Sequence, residues 1–137
     1  FEGTVAEGNK IGRTIGYPTA NLALPGENKL VPGNGIYAVQ LTISNEQIAR
    51  IGMMSIGVRP TIGESERTIE INIFDFAKDI YGETVRVYVK KYLRDEKKFS
   101  GLEELKNALA QDKIDSLRYL SGLWFLGLND SGITISS

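Results

Sequence analysis

The sequence contains no cysteine and no histidine. Those absences exclude a disulfide framework, a Cys/His zinc site, a thiol nucleophile and a Ser-His-Asp triad. Acid–base chemistry must then fall to Asp, Glu, Lys or Tyr, and a bound metal is expected to be a hard ion on oxygen ligands, such as magnesium. Lack of disulfides suits a cytoplasmic compartment. An excess of charge is missing too: 16 Lys+Arg stand against 17 Asp+Glu, so nothing draws the whole chain to nucleic acid or an anionic membrane. Long apolar runs are absent, since Gly122 to Leu128 falls far short of the roughly 20 residues of a spanning helix. No signal-peptide pattern is visible, and a chain opening on Phe1 is expected to be an excised or processed domain. What remains is 137 residues, 42% of them hydrophobic, which fits one compact domain.

Fifteen glycines punctuate short β-like runs, and only the last third reads as helix. In Ile36 to Ile43, Tyr37, Val39, Leu41 and Ile43 alternate with Ala38, Gln40 and Thr42, the pattern of a half-buried strand. Gln47 to Gly57 is a second, less periodic run. Ile69, Ile71 and Ile73 alternate with Glu70, Asn72 and Phe74, and Val85, Val87 and Val89 with Arg86, Tyr88 and Lys90. Asp79-Ile80-Tyr81-Gly82 connects these last two. Ser100 followed by Glu103 reads as a capping box, with Leu102, Leu105, Ala108 and Leu109 as the apolar stripe of the helix that follows. The helical pattern continues through Leu117 and Leu120, with Gly122 and the cluster Asn129 to Gly132 as terminators.

Chemistry concentrates near the N-terminus. Gly8, Gly12 and Gly16 recur at four-residue intervals around Arg13, followed by Pro18-Thr19-Ala20-Asn21. Glycine lets backbone N–H groups approach phosphate oxygens, although an ordinary wide loop has the same composition, and the P-loop pattern is absent. Thr19 and Asn21, at i and i+2, project to one side of an extended segment and can offer two neutral oxygens to magnesium; a local turn after proline is the other reading. Glu70 falls opposite the isoleucine face, so it projects from the outer surface of a β domain, either as a general base or as a solvated strand glutamate. Leu93 to Phe99 reads as a charged strand-to-helix loop, or as a flap offering Arg94 and Lys97 to an anion and Phe99 to an aromatic ring.

Taken in order, these pieces resemble the riboflavin kinase (flavokinase) family, including the C-terminal kinase module of bacterial bifunctional FAD synthetases. The resemblance spans Gly3 to Asp112 and rests on six fragments. They are Gly3 to Asn21 with Gly8, Gly12-Arg13, Gly16 and Pro18-Thr19-Ala20-Asn21; Pro32 with Gly35-Ile36-Tyr37-Ala38; Ile56-Gly57 with Arg59-Pro60-Thr61; Glu70; Asp75-Phe76 with Asp79-Ile80-Tyr81-Gly82; and Leu93-Arg94, Glu96 and Phe99. Two positions depart from the family pattern: Asn72 stands where a histidine is frequent, and Ser55 where an asparagine is.

The resemblance implies a mainly β fold, a six-stranded antiparallel Greek-key closed barrel with a C-terminal α-helix. It implies a kinase domain over residues 1–128 and a tail over 129–137. The implied activity is transfer of the γ-phosphoryl group of ATP to the 5′-hydroxyl of riboflavin, giving FMN and ADP, with Mg2+; a non-catalytic flavin- or nucleotide-binding barrel is the alternative. Residue by residue, Glu70 is carried over as the base; Gly8, Gly12, Arg13, Gly16, Thr19 and Tyr81 as ATP-binding; Thr19 and Asn21 as metal ligands; and Arg94, Lys97 and Phe99 as flavin-binding. No nucleic-acid or membrane partner is implied. A linked upstream FMN adenylyltransferase domain fits a longer parent chain, whereas the present segment is expected to stop at FMN.

Overall fold

The computed structural model describes residues 1–6, 16–24, 31–76 and 78–130. Its strands are β1 (Glu2–Ala6), β2 (Ala20–Ala23), β3 (Gly35–Ile43), β4 (Arg50–Thr61), β5 (Glu64–Ile73) and β6 (Thr84–Arg94), followed by helix α1 (Leu102–Asp130). The strands close into an antiparallel barrel in the order β1-β2-β5-β4-β3-β6. β3, β4 and β5 form a meander and β6 returns beside β3, which is the expected Greek key. Closure leaves no strand edge unpaired by design of the order.

Period-two alternation fills the interior. Val39, Leu41, Met54, Ile56, Ile69, Ile71, Val85 and Val87 are all buried there, with Val5 and Leu22 from the short N-terminal strands. The isoleucines of β5 therefore point inward, as their spacing predicts. β3 differs from a half-buried strand, because Ile36 and Ala38 on its outer face are buried as well. The reason is α1, which packs outside the barrel against β3, β4 and β6. β4 starts and ends later than the run from Gln47 to Gly57, and Ile48 is left exposed in the preceding turn. β4 and β5 are joined by the two residues Ile62 and Gly63, and Gly63 takes the positive φ, +78°, that this tight turn requires. β6 carries two register shifts against β3, between Ile36/Tyr37 and Ala38/Val39, where single extra residues bend it beneath the helix.

The start of α1 lies one residue later than the Ser100/Glu103 spacing implies. The Leu105 amide donates to the Gly101 carbonyl, so Gly101 is the cap, and Glu104 occupies the third helical position. Ser100 Oγ donates to Glu104 Oε2 at 2.6 Å. That hydroxyl, with the Ser100 amide and then Lys97, holds the Glu104 carboxyl below its ordinary value. A carboxyl so lowered stabilises the helix start at neutral pH, and the contribution is lost as pH falls through its folded value. At the far end Gly122 does not stop the helix, which runs to Asp130 and into the Asn129–Gly132 cluster. One glycine costs a helix only about 1 kcal/mol relative to alanine, too little to end it.

A buried ion pair ties α1 to the barrel. Arg94, the last residue of β6, donates through Nε to Asp112 Oδ1 at 2.8 Å and through Nη2 to Oδ2 at 2.7 Å. Its remaining arm, Nη1, donates to the Asp95 carbonyl at 3.0 Å. Asp112 is only 2% exposed, so an Asp112 without its partner is a charge left inside, whereas Arg94 keeps some contact with water. Asp112→Ala is expected to lower stability by about 3 kcal/mol, the low end for a broken buried pair because Arg94 still reaches water. A urea-unfolding midpoint unchanged from the parent protein would contradict this anchoring role.

Candidate active site

Strand register assembles the site before any side chain is considered. Asn21 on β2 pairs with Glu70 on β5, Glu70 with Ser55 on β4, Ser55 with Ile36 on β3, and Ile36 with Arg94 on β6. These residues form one girdle around the outer wall of the barrel. A neighbouring girdle holds Asn72, Met53, Ala38 and Lys91. The chain then leaves β6 at Arg94, crosses over the wall, and enters α1.

Between wall and crossover lies a cavity of about 180 Å³. Ile36 and Met53 form an apolar floor; Phe99, Leu105 and Leu109 close over it; and Tyr17, Thr19, Ser55, Glu70 and Asn72 make the polar side. Glu96 and Lys97 also line it. The Glu96 carboxylate lies against Gly57 on β4, in the space a Cβ would take.

Thr19 Oγ1 donates to Glu70 Oε1 at 3.4 Å, a long bond that leaves the carboxylate mostly uncommitted. Thr19 itself precedes β2, and Asn21 stands two residues on, beside Glu70 in the ladder. The Thr19 hydroxyl therefore meets the Glu70 carboxylate, with Asn21 beside Glu70 across the β2–β5 ladder. Oxygen donors of this kind suit a hard divalent cation, with Thr19 and Asn21 as the neutral ligands. Among the described residues no group of three or more Asp and Glu could hold a metal alone.

The other residues singled out in the sequence are distributed unevenly. Phe99 and Lys97 reach the cavity, and Lys97 Nζ lies 5.7 Å from the Phe99 ring centroid and 3.9 Å from Glu104 Oε1. Arg94 lines the cavity as well, but at the end of a strand instead of in a loop, and its guanidinium is engaged by Asp112 and Asp95. With its fork bidentate to a buried carboxylate, Arg94 anchors α1 while it lines the cavity. Tyr81 is 70% exposed in the β5–β6 connection, away from the cavity lining. Its turn is held to β1, because the Gly82 amide donates to the Val5 carbonyl and the Val5 amide to Glu83. That places Tyr81 where the chain departs toward the glycine-rich segment. Gly16 has φ +89°, a conformation suited to glycine, while Gly8, Gly12 and Arg13 lie outside the described residues.

Sequence reasoning passed over Asn72 and Asp112. Asn72 had a signal: it is the polar residue two positions from Glu70, hence on the same face. It is 7% exposed, and its Nδ2 donates to the Pro18 carbonyl at 2.7 Å. Asp112 had none, because a lone acidic residue on a helix gives no sign of a partner on a distant strand.

Comparison with known proteins bears on this geometry. The Flavokinase family, described as riboflavin kinase, matches residues 1–120. The bifunctional riboflavin kinase/FMN adenylyltransferase of Bacillus subtilis (strain 168) is 39% identical over 126 residues, 90% of this chain and 39% of that protein. The RNA-binding riboflavin kinase RibR of the same organism is 39% identical over 113 residues, 80% of this chain and 46% of its own length. A crystal structure of a protein named as a macrolide-efflux protein from Streptococcus pneumoniae superposes with a TM-score of 0.74 at 41% identity, over 84% of this chain and 37% of that one. The chain thus spans about two-fifths of the length of the curated relatives it matches. No helix among the described residues is long and apolar enough to cross a membrane. With a match over 120 of its residues, and a closed barrel whose outer wall brings Thr19, Asn21 and Glu70 together, this chain belongs to the riboflavin kinase family.

Proposed function

We propose that this chain phosphorylates riboflavin, transferring the γ-phosphoryl group of ATP to the 5′-hydroxyl to give FMN and ADP. The observation that carries the reading is the contact of Thr19 with Glu70 on the polar side of a cavity with aromatic and aliphatic lining, and the pairing of Asn21 with Glu70 in the neighbouring ladder. A module that only binds has no need of a carboxylate placed beside a prospective metal site. The relatives add support, since two proteins with different companion descriptions, FMN adenylyltransferase and RNA-binding, share the words riboflavin kinase.

In this reading the apolar floor and Phe99 hold the flavin ring, and the ribityl chain runs toward Glu70. Glu70 accepts the proton of the 5′-hydroxyl while that oxygen bonds to the γ-phosphorus and the bond to the β-phosphate oxygen breaks. Thr19 and Asn21 hold Mg2+, which when bound neutralises phosphate charge as it develops on the leaving oxygen. Gly16, with Gly8, Gly12 and Arg13, serves the ATP phosphates, and Tyr81 stands on the same nucleotide side. Phosphoryl transfer needs positioning and charge neutralisation more than covalent catalysis, so the lack of histidine is no obstacle. The same reading places the reaction in the cytoplasm.

Glu70→Gln keeps size and polarity but removes the basic carboxylate, so turnover is expected to fall about 10²–10⁴-fold with substrates still bound. Chromatographic separation of FMN from riboflavin after incubation with Mg-ATP reads the rate. A purified variant as fast as the parent would dismiss Glu70 as the base.

Thr19→Val and Asn21→Leu are each expected to raise the Mg2+ and ATP concentrations needed for half-maximal turnover, by about 10-fold or more, and to leave riboflavin affinity nearly unchanged. Full activity in excess chelator, or in the double variant, would overturn the metal assignment.

A further inference from the structure

We infer that Asn72 is a positioning residue for the Thr19/Glu70 pair, extending the β2–β5 ladder by one step through its side chain. The kinetic arm of this inference rests on the kinase reading above; its structural arm does not.

The ladder between β2 and β5 includes Ala20 opposite Ile71 and Asn21 opposite Glu70, and β2 begins at Ala20. Continuing that register sets Thr19 opposite Asn72. Backbone pairing cannot run on through Pro18, which has no N–H to donate. Its carbonyl still needs a donor, and Asn72 Nδ2 supplies one at 2.7 Å. The side-chain amide thus does the work of a ladder bond at the step where proline ends the ladder.

Asn72 is itself held in place. A Cβ on Gly52 would collide with the Asn72 carbonyl oxygen, so β4 and β5 approach at this point because residue 52 is glycine. The Asn72 side chain is 7% exposed, and a buried amide is expected to keep the partner it has. One chain of contacts therefore runs from Gly52 through Asn72 to Pro18 and fixes the residue that follows, Thr19. Thr19 Oγ1 reaches Glu70 at 3.4 Å, a separation that a small swing of the Pro18–Thr19 peptide would open. Asn72 touches neither reacting atom in this account. It acts by setting where the Thr19 oxygen stands relative to the carboxylate.

The test uses three variants of the chain. Asn72→Leu keeps the volume and deletes the donor; Asn72→Ser is polar but too short to reach Pro18 and serves if the first does not fold; Asn72→His returns a ring N–H. For the leucine or serine variant, kcat/KM for Mg-ATP is expected to fall about 10–100-fold, a larger loss than that of riboflavin affinity. The histidine variant is expected to recover most of the loss. Backbone amide exchange from Thr19 to Asn21, followed by NMR without any ligand, is expected to quicken about tenfold in the donor-less variants. Wild-type kinetics in those variants would overturn the proposal. So would an equal loss of riboflavin binding and of melting temperature that histidine fails to restore, since that marks a residue needed only for folding. Should the parent protein itself make no FMN, the kinase reading falls, and the exchange rates alone decide: faster exchange sustains the positioning role, and unchanged exchange ends it.

Discussion

The cavity depends on the pair formed by Arg94 and Asp112. A closed barrel has an outer wall but no concavity, and the stretch of the girdle from Ser55 through Ile36 to Arg94 would face solvent if α1 were not packed against β3, β4 and β6. Hydrophobic packing of Leu105 and Leu109 supplies attraction without direction. The two parallel hydrogen bonds from guanidinium to carboxylate supply the direction, because both planes must align. They also fix the point at which the chain leaves β6, and thus the path of residues 95–101 over Glu70 and Ser55. Desolvating Asp112 is costly, and a pair of this kind is better explained by the geometry it enforces than by net stability.

Much of this arrangement is legible in the sequence, for one physical reason. A strand has a period of two, so the isoleucines at 69, 71 and 73 announce the core and place Glu70 and Asn72 on the opposite wall. The same rule identifies β3, although not the burial of its outer face, since a covering helix acts from far along the chain. Closure into a six-stranded Greek-key barrel is implied by the resemblance alone, and no local pattern reveals that β1 pairs with β6. Helix ends were read to within a residue at the start and less well at the finish: capping depends on which peptide first turns helical, and Gly122 is tolerated where continued helix outweighs its modest penalty.

Site residues divide along the same line. Thr19, Asn21 and Glu70 were legible because their spacing along strands decides their direction. Arg94 stands at the end of β6 and not in the loop that follows, and its pairing with Asp112 rests on tertiary packing that no spacing encodes. Lys97 and Phe99 reach the cavity from the crossover, whose path is set by the anchor at one end and the Ser100–Glu104 cap at the other. Asn72 could be placed on the correct wall, but the bond it makes arises from the missing N–H of a proline on another strand.

A chain without histidine also acquires a particular kind of rigidity around its site. The bonds that set the geometry here are made by an asparagine amide, a threonine hydroxyl and an arginine guanidinium. None of those donors changes protonation near neutral pH. Where a histidine in the place of Asn72 could alter its bonding as it gained a proton, the amide keeps one state. Under the proposed reaction shape and charge would thereby be separated, with the donors around Thr19 keeping one state while Glu70 takes the proton. Phosphoryl transfer benefits from that division, since its barrier is lowered chiefly by groups held still around a developing charge.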